Sequence, residues 1–460
     1  MMRYVLTDWR VESPEFWEDT GKKIANRNLS LSIFALALAF IVWQLWSVTV
    51  VYLPQVGFEL TANQQAWLIG APALSGATLR IFYSFVVPIF GGRRWTAIST
   101  LLLLIPSLGL GIAVQNPETS YSTLLILALF CGFGSGNFSS SMANISYFFP
   151  KDKKGTALGL NAGLGNLGIS IMQFLIPVVV GFSIFGALGG EGQQIVTNGA
   201  TQTIWLQNAG FVWVPFIVLS GLLAWFGMND LSLMKASFKD QLTALKSKHN
   251  WYMCWLYLGT FGSFIGFSAA FPFLLRNQFA DQNALHLAFF GPLIGAITRP
   301  VGGWISDKLG GARVTHWVFI GMVIAICGVI ASLPSEGTSG NFLGFFIAFM
   351  VLFALSGIGN GSTFMQIPII FSKVHGYRAE AGLISREEAE KTAAKEGATV
   401  VGFSAAIAAY GGFFIPKSYG MALEMTGSIS AAFIGFIIFY ISCVLLNYWY
   451  YARKNARYKC

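Results

Sequence analysis

Two arginines stand where arginine is costly. Arg80 lies in GATLRIFYSF, inside an apolar stretch that runs from Trp67 to Phe90, and Arg299 lies in GPLIGAITRPVGG. A charged side chain at the centre of a membrane helix costs about 2.5–3.5 kcal/mol on insertion scales. Arginine stays protonated there and presents a planar fork of donors suited to a carboxylate, a phosphate or a planar oxyanion. The chain offers these two guanidiniums no internal counter-ion. All 20 acidic residues fall in tails, loops or span ends, with Glu59, Glu118 and Glu191 at one end of the spans and Asp230 and Asp307 at the other. The four histidines, His249, His286, His316 and His375, also sit near span ends or in loops. A packing role for the arginines would need a carboxylate at mid-depth, and the sequence places none there. The missing partner is expected to be a substrate anion.

The same absence bears on energetics. With no acid or histidine at mid-depth there is no proton relay of the usual kind, which weakens proton symport and favours exchange. An empty cavity with two uncompensated positive charges resists a dehydrated, closed state. A bound anion lowers that barrier in either direction.

Other residues could line such a site. Tyr257 in YLGTFGSFIGF carries a hydroxyl that needs a partner in an apolar helix. Phe261, one turn later, reads equally as lining or as core, and Phe40 and Phe138 are candidates of the same sort. Asn166 in GLNAGLGNLG is a mid-span amide, costly unless it bonds something. Gly155, Gly159 and Gly163 form a GxxxGxxxG ridge, and Gly134 and Gly359 occupy matching glycine-rich stretches. Small ridges let helices approach closely, so static packing explains them as well as sliding does. Asp307 and Arg313 in GGWISDKLGGAR could pair with helix ends in one state or form a solvated turn. No nucleophile–base pair and no metal cluster is present, so neither catalysis nor a metal or cofactor is expected. Cys131, Cys254, Cys327 and Cys443 fall in apolar segments and Cys460 is terminal; they read as small core residues.

The elements that position these residues are membrane helices. The chain has 460 residues, 55% hydrophobic and only 11% charged, too apolar for a soluble protein of this length. About 20 apolar residues span the hydrocarbon core, which predicts about 12 spans and an all-α membrane protein. Of 29 basic residues, 25 lie in one set of loops and tails, and only Arg276 and Lys417 lie in the opposite set. By the positive-inside rule both termini are cytoplasmic. The net charge of +9 is thus a topology signal and no nucleic-acid partner is expected. Residues 1–29, charged with both signs, read as a cytosolic segment rather than a cleavable signal.

The chain also repeats itself. RIFYSFVVPIFGGRR from Arg80 matches RPVGGWISDKLGGAR from Arg299, with a Gly-Gly pair starting eleven residues after each arginine. GFGSGNF from Gly132 matches GIGNGSTF from Gly357, and FLIPVVVG around Pro177 matches FFIPKSYG around Pro416. The expected organisation is a six-helix bundle over 30–228, a cytosolic linker over 229–250, a second bundle over 251–452 and a tail over 453–460. Parallel repeats of this kind point to a transporter whose site lies between the halves near the midplane. Eleven residues at about 1.5 Å each put each arginine about 16 Å from its Gly-Gly turn, near the middle of a core about 30 Å thick.

At these residues the chain resembles a known family. GGWISDKLGGAR looks like the loop motif of the major facilitator superfamily, with GGRR a degenerate first-half copy. GFGSGNFSSSMANISYFFPKDKKGTALGLNAGLGNLG resembles the signature of the nitrate/nitrite porter family, of the bacterial NarK/NarU type. The resemblance covers nearly the whole chain. It implies a major facilitator fold of two pseudo-symmetric six-helix bundles, and a nitrate/nitrite antiporter of the bacterial inner membrane that works as a monomer by rocking its halves. It implies that Arg80 and Arg299 clamp the anion, that Tyr257 donates a hydrogen bond to it, and that Phe138 and Phe261 border it. It implies that Asn166 contributes from the signature helix and that Phe40 is a further pocket aromatic. Pro300 departs from the pattern, where a small residue such as Ser is more usual, and could kink its helix at the site. The residues themselves reach only an anion exchanger with two arginines. Nitrate/proton symport, exchange of another small anion and a non-transporting anion sensor are the competing readings; a sensor would carry a signalling domain, and the cytosolic pieces, ISREEAEKTAAKEG among them, are too short for one.

Overall fold

The structure, a computed structural model, describes residues 4–197, 200–232, 246–280, 284–335 and 338–460. The middle of the expected linker, 233–245 with Lys235 and Lys239, lies outside the described residues, as does Arg3.

Among the described residues twelve helices are long and apolar enough to cross a membrane. They are α1 (Pro14–Val56), α2 (Ala62–Phe90), α3 (Gly92–Ala113), α4 (Tyr121–Ser146), α5 (Lys151–Val179), α6 (Asn208–Gly227), α7 (Lys248–Gln278), α8 (Ala284–Leu309), α9 (Gly311–Ser332), α10 (Phe342–Glu380), α11 (Arg386–Thr426) and α12 (Ser430–Ala452). The protein is a multi-pass membrane protein. Large apolar side chains such as Phe82, Trp304 and Ile324 stay exposed on the helices, as lipid-facing surfaces require.

Local chemistry sets the helix ends. The entry to α2 is a capping box: Gln64 N donates to Thr61 Oγ1 at 3.2 Å and Thr61 N donates to Gln64 Oε1 at 2.9 Å. Its exit is Gly91, at φ 86°, and the exit of α8 is Gly310, at φ 89°. Both conformations favour glycine, so the two Gly-Gly turns are the same device used twice. α11 starts earlier than the sequence reading has it. Ser385 accepts from Glu388 N at 3.1 Å, and ISREEAEKTAAKEG is the opening of a helix that continues into the span rather than a loop piece. Its Ala, Glu and Lys residues are good helix formers.

The chain divides into two compact units. The first comprises Met1–Ala236 and Ser268–Phe289, the second Ser237–Phe267 and Phe290–Cys460. α7 therefore contributes its opening part to the second unit and its final part to the first.

The first unit is closed at its basic end by the N-terminal segment. Strand β1 (Val5–Leu6) pairs in parallel with β4 (Asp230–Leu231) beyond α6. Trp9 Nε1 donates to Tyr147 O at 3.0 Å, and its ring packs edge-on against Phe148. Asp230 accepts from Arg93 N at 2.8 Å and pairs with Arg93 Nε at 3.3 Å, both side chains buried. At the opposite end, β2 (Gln193–Thr197) and β3 (Ala200–Ile204) form an antiparallel hairpin between α5 and α6.

In the second unit, buried Phe349, Phe353 and Phe433 form the core of α10 and α12, and Ser263 Oγ and Tyr440 Oη bond at 2.6 Å. Its C-terminal segment lies on the Gly-Gly turn, where Ala312 N donates to Cys460 O at 3.1 Å. Cys131, Cys254 and Cys443 are buried, but Cys327 is exposed. An apolar span has a lipid face as well as a core face, so membership of a span does not bury a cysteine.

Candidate functional site

In the first unit three helices converge on Arg80, which is 1% exposed on α2. Its Nε donates to Ser135 Oγ at 2.9 Å and to Ser135 O at 3.2 Å, both on α4. The guanidinium lies 4.7 Å from the Phe138 ring centroid and 5.1 Å from that of Trp43. Cation–π contacts of this kind contribute about 2 kcal/mol or more when desolvated. Trp43 is held in turn: its Nε1 donates to Pro72 O at 3.0 Å. Phe40 packs against both rings, at 5.5 Å from Trp43 and 6.0 Å from Phe138. Arg80, Phe138 and Phe40, separate predictions in the sequence, form one cluster. Fixing Nε and one aromatic face sets the plane of the guanidinium, the geometry a planar oxyanion needs.

Close helix approach makes this cluster possible. A Cβ on Gly134 would strike the Ala39 carbonyl of α1, and one on Gly136 would come within 2.7 Å of the Tyr83 ring. Asn166 on α5 is 1% exposed, and neither atom of its amide has a hydrogen-bond partner among the described residues. That leaves a buried polar group in need of a ligand or water.

The second unit repeats the arrangement with different side chains. Arg299 on α8 is half-buried, its guanidinium 5.9 Å from the Phe364 ring of α10. Its Nη1 is buried without a hydrogen-bond partner among the described residues. Tyr257 and Phe261 on α7 are buried and stack at 5.4 Å, and the chain between them enters a π turn at Leu258–Gly262. The Tyr257 hydroxyl donates to Asn360 Oδ1 at 2.9 Å. The expectation that Tyr257 donates to the anion therefore meets a competitor already in place. α8 runs without a break through Pro300, so no interruption of the helix marks the site.

Trp43, Ser135, Asn360 and Phe364 were not singled out in the sequence. For two of them a signal existed: Ser135 and Asn360 hold the same place in the repeated GFGS and GIGN, and each bonds a predicted site residue. Trp43 carried none, because its role depends on which face of α1 meets α2.

The remaining predicted positions divide. A Cβ on Gly359 would come within 2.6 Å of Thr260, so Gly359 is a packing residue of the second unit as Gly134 is of the first. Gly155, Gly159 and Gly163 are not: a Cβ at any of them would meet nothing within 4 Å. The tight approach of α5 to α1 uses Gly165 and Gly168 instead, where a Cβ would crowd Leu36 and the Ala37 carbonyl. The ridge occupies a face of α5 that meets no neighbour within the first unit. Asp307 and Arg313 are exposed, and no ion pair among the described residues includes either. The turn between them carries the C-terminal segment, whose Cys460 O accepts from Ala312 N. Its first-half counterpart does not match it, since Arg93 is buried against Asp230.

No acidic residue occurs in α2, α4 or α7, and the acids of α1, α5 and α8 lie near their ends, at Glu15, Glu18, Asp19, Asp152 and Asp307. The arrangement supplies charge and donors suited to an anion.

Comparison with known proteins identifies the family. Residues 33–384 match the model of the Major Facilitator Superfamily. The chain is 51% identical to the nitrate/nitrite transporter NarU of Escherichia coli, over 99% of this chain and 98% of that protein. It is 43% identical to the probable nitrate/nitrite antiporter NarK2 of Thermus thermophilus over the same shares. Among solved structures it resembles a bacterial homologue of the lysosomal transporter Spinster, with a TM-score of 0.63 at 16% identity, covering 93% of this chain and 97% of that one. It also resembles the nucleoside transporter NupG, with a TM-score of 0.59 at 13% identity, covering 92% and 98%. These two likenesses concern the fold. The chain belongs to the major facilitator superfamily, and within it to the family of the NarK/NarU nitrate/nitrite transporters.

Proposed function

We propose that this protein exchanges nitrate for nitrite across the bacterial inner membrane, with both termini in the cytoplasm. Arg80 and Arg299 hold the anion, Phe138, Phe261 and Phe40 border it, and Tyr257 and Asn166 supply polar contacts. Two bundles, 30–228 and 251–452, joined through 229–250, rock as one functional monomer. The observation that carries the reading is Arg80: a buried guanidinium, its Nε held by Ser135 and its face by Trp43 and Phe138, on a helix without an acid. A buried charge of this kind inside a membrane span marks a candidate functional site, and its sign suits an anion. The names of the relatives supply the identity of those anions, and the absence of a mid-span acid or histidine supports exchange over proton coupling.

The test is labelled nitrate uptake into proteoliposomes loaded with nitrite, nitrate or chloride, with and without an inward proton gradient. Uptake that requires internal nitrite or nitrate and ignores the gradient is the expected result. Gradient-driven uptake into chloride-loaded vesicles would establish symport instead.

A further inference from the structure

At the basic-poor end of the first unit lies a cavity of about 200 Å³. Its walls are the ends of α1 (Tyr52, Gln55), α5 (Val180) and α7 (Arg276), with His286 beyond α7 and Gln202 on the hairpin. The hairpin is a built roof. Ile195 and Ile204 are buried beneath it, and Trp205 N donates to Val180 O at 2.7 Å, tying it to the end of α5. Gln207 Nε2 anchors the preceding loop through the carbonyls of Gly189 and Glu191, at 3.1 and 2.9 Å.

Among the described residues the ionisable lining of this cavity is Arg276 and His286, with the Tyr52 hydroxyl, and no carboxylate. This end of the first unit carries Glu59, Glu118 and Glu191, and Arg276 is its one Lys or Arg among the described residues. Arg276 thus places a cation at a recess on an end otherwise acidic. A cation beside low-dielectric walls focuses its field into the recess. The volume holds an anion together with several waters, each of which takes about 30 Å³, so an ion could rest there before losing its hydration shell.

We propose that this cavity is an outer docking vestibule for a small oxyanion, held by Arg276 with Tyr52 and Gln202 in the same lining. It rests on the exchange reading for its choice of nitrate and nitrite. The vestibule concentrates the incoming anion on a face whose other charges repel it, and it acts on capture rather than on the crossing step.

The experiment uses the full chain in phosphatidylcholine vesicles. Arg276, which is exposed, is modified with phenylglyoxal and its extent read at the peptide level, in nitrate, nitrite or gluconate at equal ionic strength. Nitrate and nitrite are expected to slow modification about threefold or more, as direct occupancy beside a guanidinium demands. The protection is expected to persist in Arg80→Lys, which separates this site from the central one. In transport, Arg276→Gln is expected to raise KM for nitrate added at the hairpin side about three- to tenfold at low salt, with little effect at high salt and on the maximal rate. Arg276→Lys, which keeps the charge, is expected to retain the low KM. Equal modification in all three anions overturns the proposal. So does protection that appears only on adding phosphatidylglycerol, which assigns the cavity to a lipid phosphate. Wild-type protein that protects Arg276 but performs no exchange would retain the vestibule and remove the exchange reading.

Discussion

The Tyr257 hydroxyl donates to Asn360 Oδ1 at 2.9 Å, joining α7 to α10 within the second unit. The first unit has a matching bond, from Arg80 Nε to Ser135 Oγ at 2.9 Å. In each, a polar residue of the glycine-rich helix positions the group expected to meet the anion. Asn360→Ala frees the tyrosine hydroxyl to turn, and Tyr257→Phe removes it. If Asn360 acts through Tyr257, the two substitutions couple, with a coupling energy of about 0.5–3 kcal/mol in a double-mutant cycle. Nitrate KM across the four proteins measures it. Additive effects would make Asn360 a packing residue only.

The two arginines are held differently, and their lysine variants should differ accordingly. Lysine at position 80 cannot keep both the Ser135 bonds and the flat contacts with Trp43 and Phe138. Removing a buried, hydrogen-bonded charge contact costs about 2–5 kcal/mol, so Arg80→Lys is expected to abolish measurable exchange and to lower the melting temperature. Arg299 has one loose aromatic contact at 5.9 Å. Arg299→Lys is expected to impair transport while leaving the melting temperature unchanged. Counterflow and thermal melts on both proteins provide the comparison, and equal thermal losses would contradict it.

The two sets of glycines on α5 separate packing from motion. Gly168→Ala drives a methyl into the Ala37 carbonyl of α1, and backbone has little room to yield; overpacking of this sort costs about 1–3 kcal/mol. Gly159→Ala meets nothing and gains about 0.5–1 kcal/mol of helix propensity. Melting temperatures should move in opposite directions. Transport by Gly159→Ala then addresses the ridge: loss of exchange in a protein of full stability would identify a surface used only during the cycle.

The buried pair at the basic end gives a stability prediction. Arg93 and Asp230 are 6% and 9% exposed, and Asp230 also accepts from the Arg93 amide. Asp230→Ala removes the ion-pair partner of the guanidinium and leaves it the Trp225 carbonyl, at 2.6 Å; breaking a buried pair costs about 3–5 kcal/mol. Low yield and a lower melting temperature are expected, together with protease sensitivity around Val5–Leu6, whose strand pairs with Asp230–Leu231. Limited proteolysis followed by mass spectrometry reads this directly.

The sequence by itself determined the membrane class, the twelve spans, the repeat and the two arginines without acids, because hydropathy, charge and turn glycines act locally along the chain. Gly91 and Gly310 are legible for that reason: each needs only its own backbone conformation. Which side of a helix meets which neighbour is not local. Tertiary structure decided that Trp43 of α1 covers Arg80, that Asn360 accepts the Tyr257 hydrogen bond, and that Gly165 and Gly168, rather than the regular ridge at Gly155, Gly159 and Gly163, form the close contact of α5. In an apolar span every face satisfies the hydrophobic requirement equally, so only the shape of the neighbouring helix selects one.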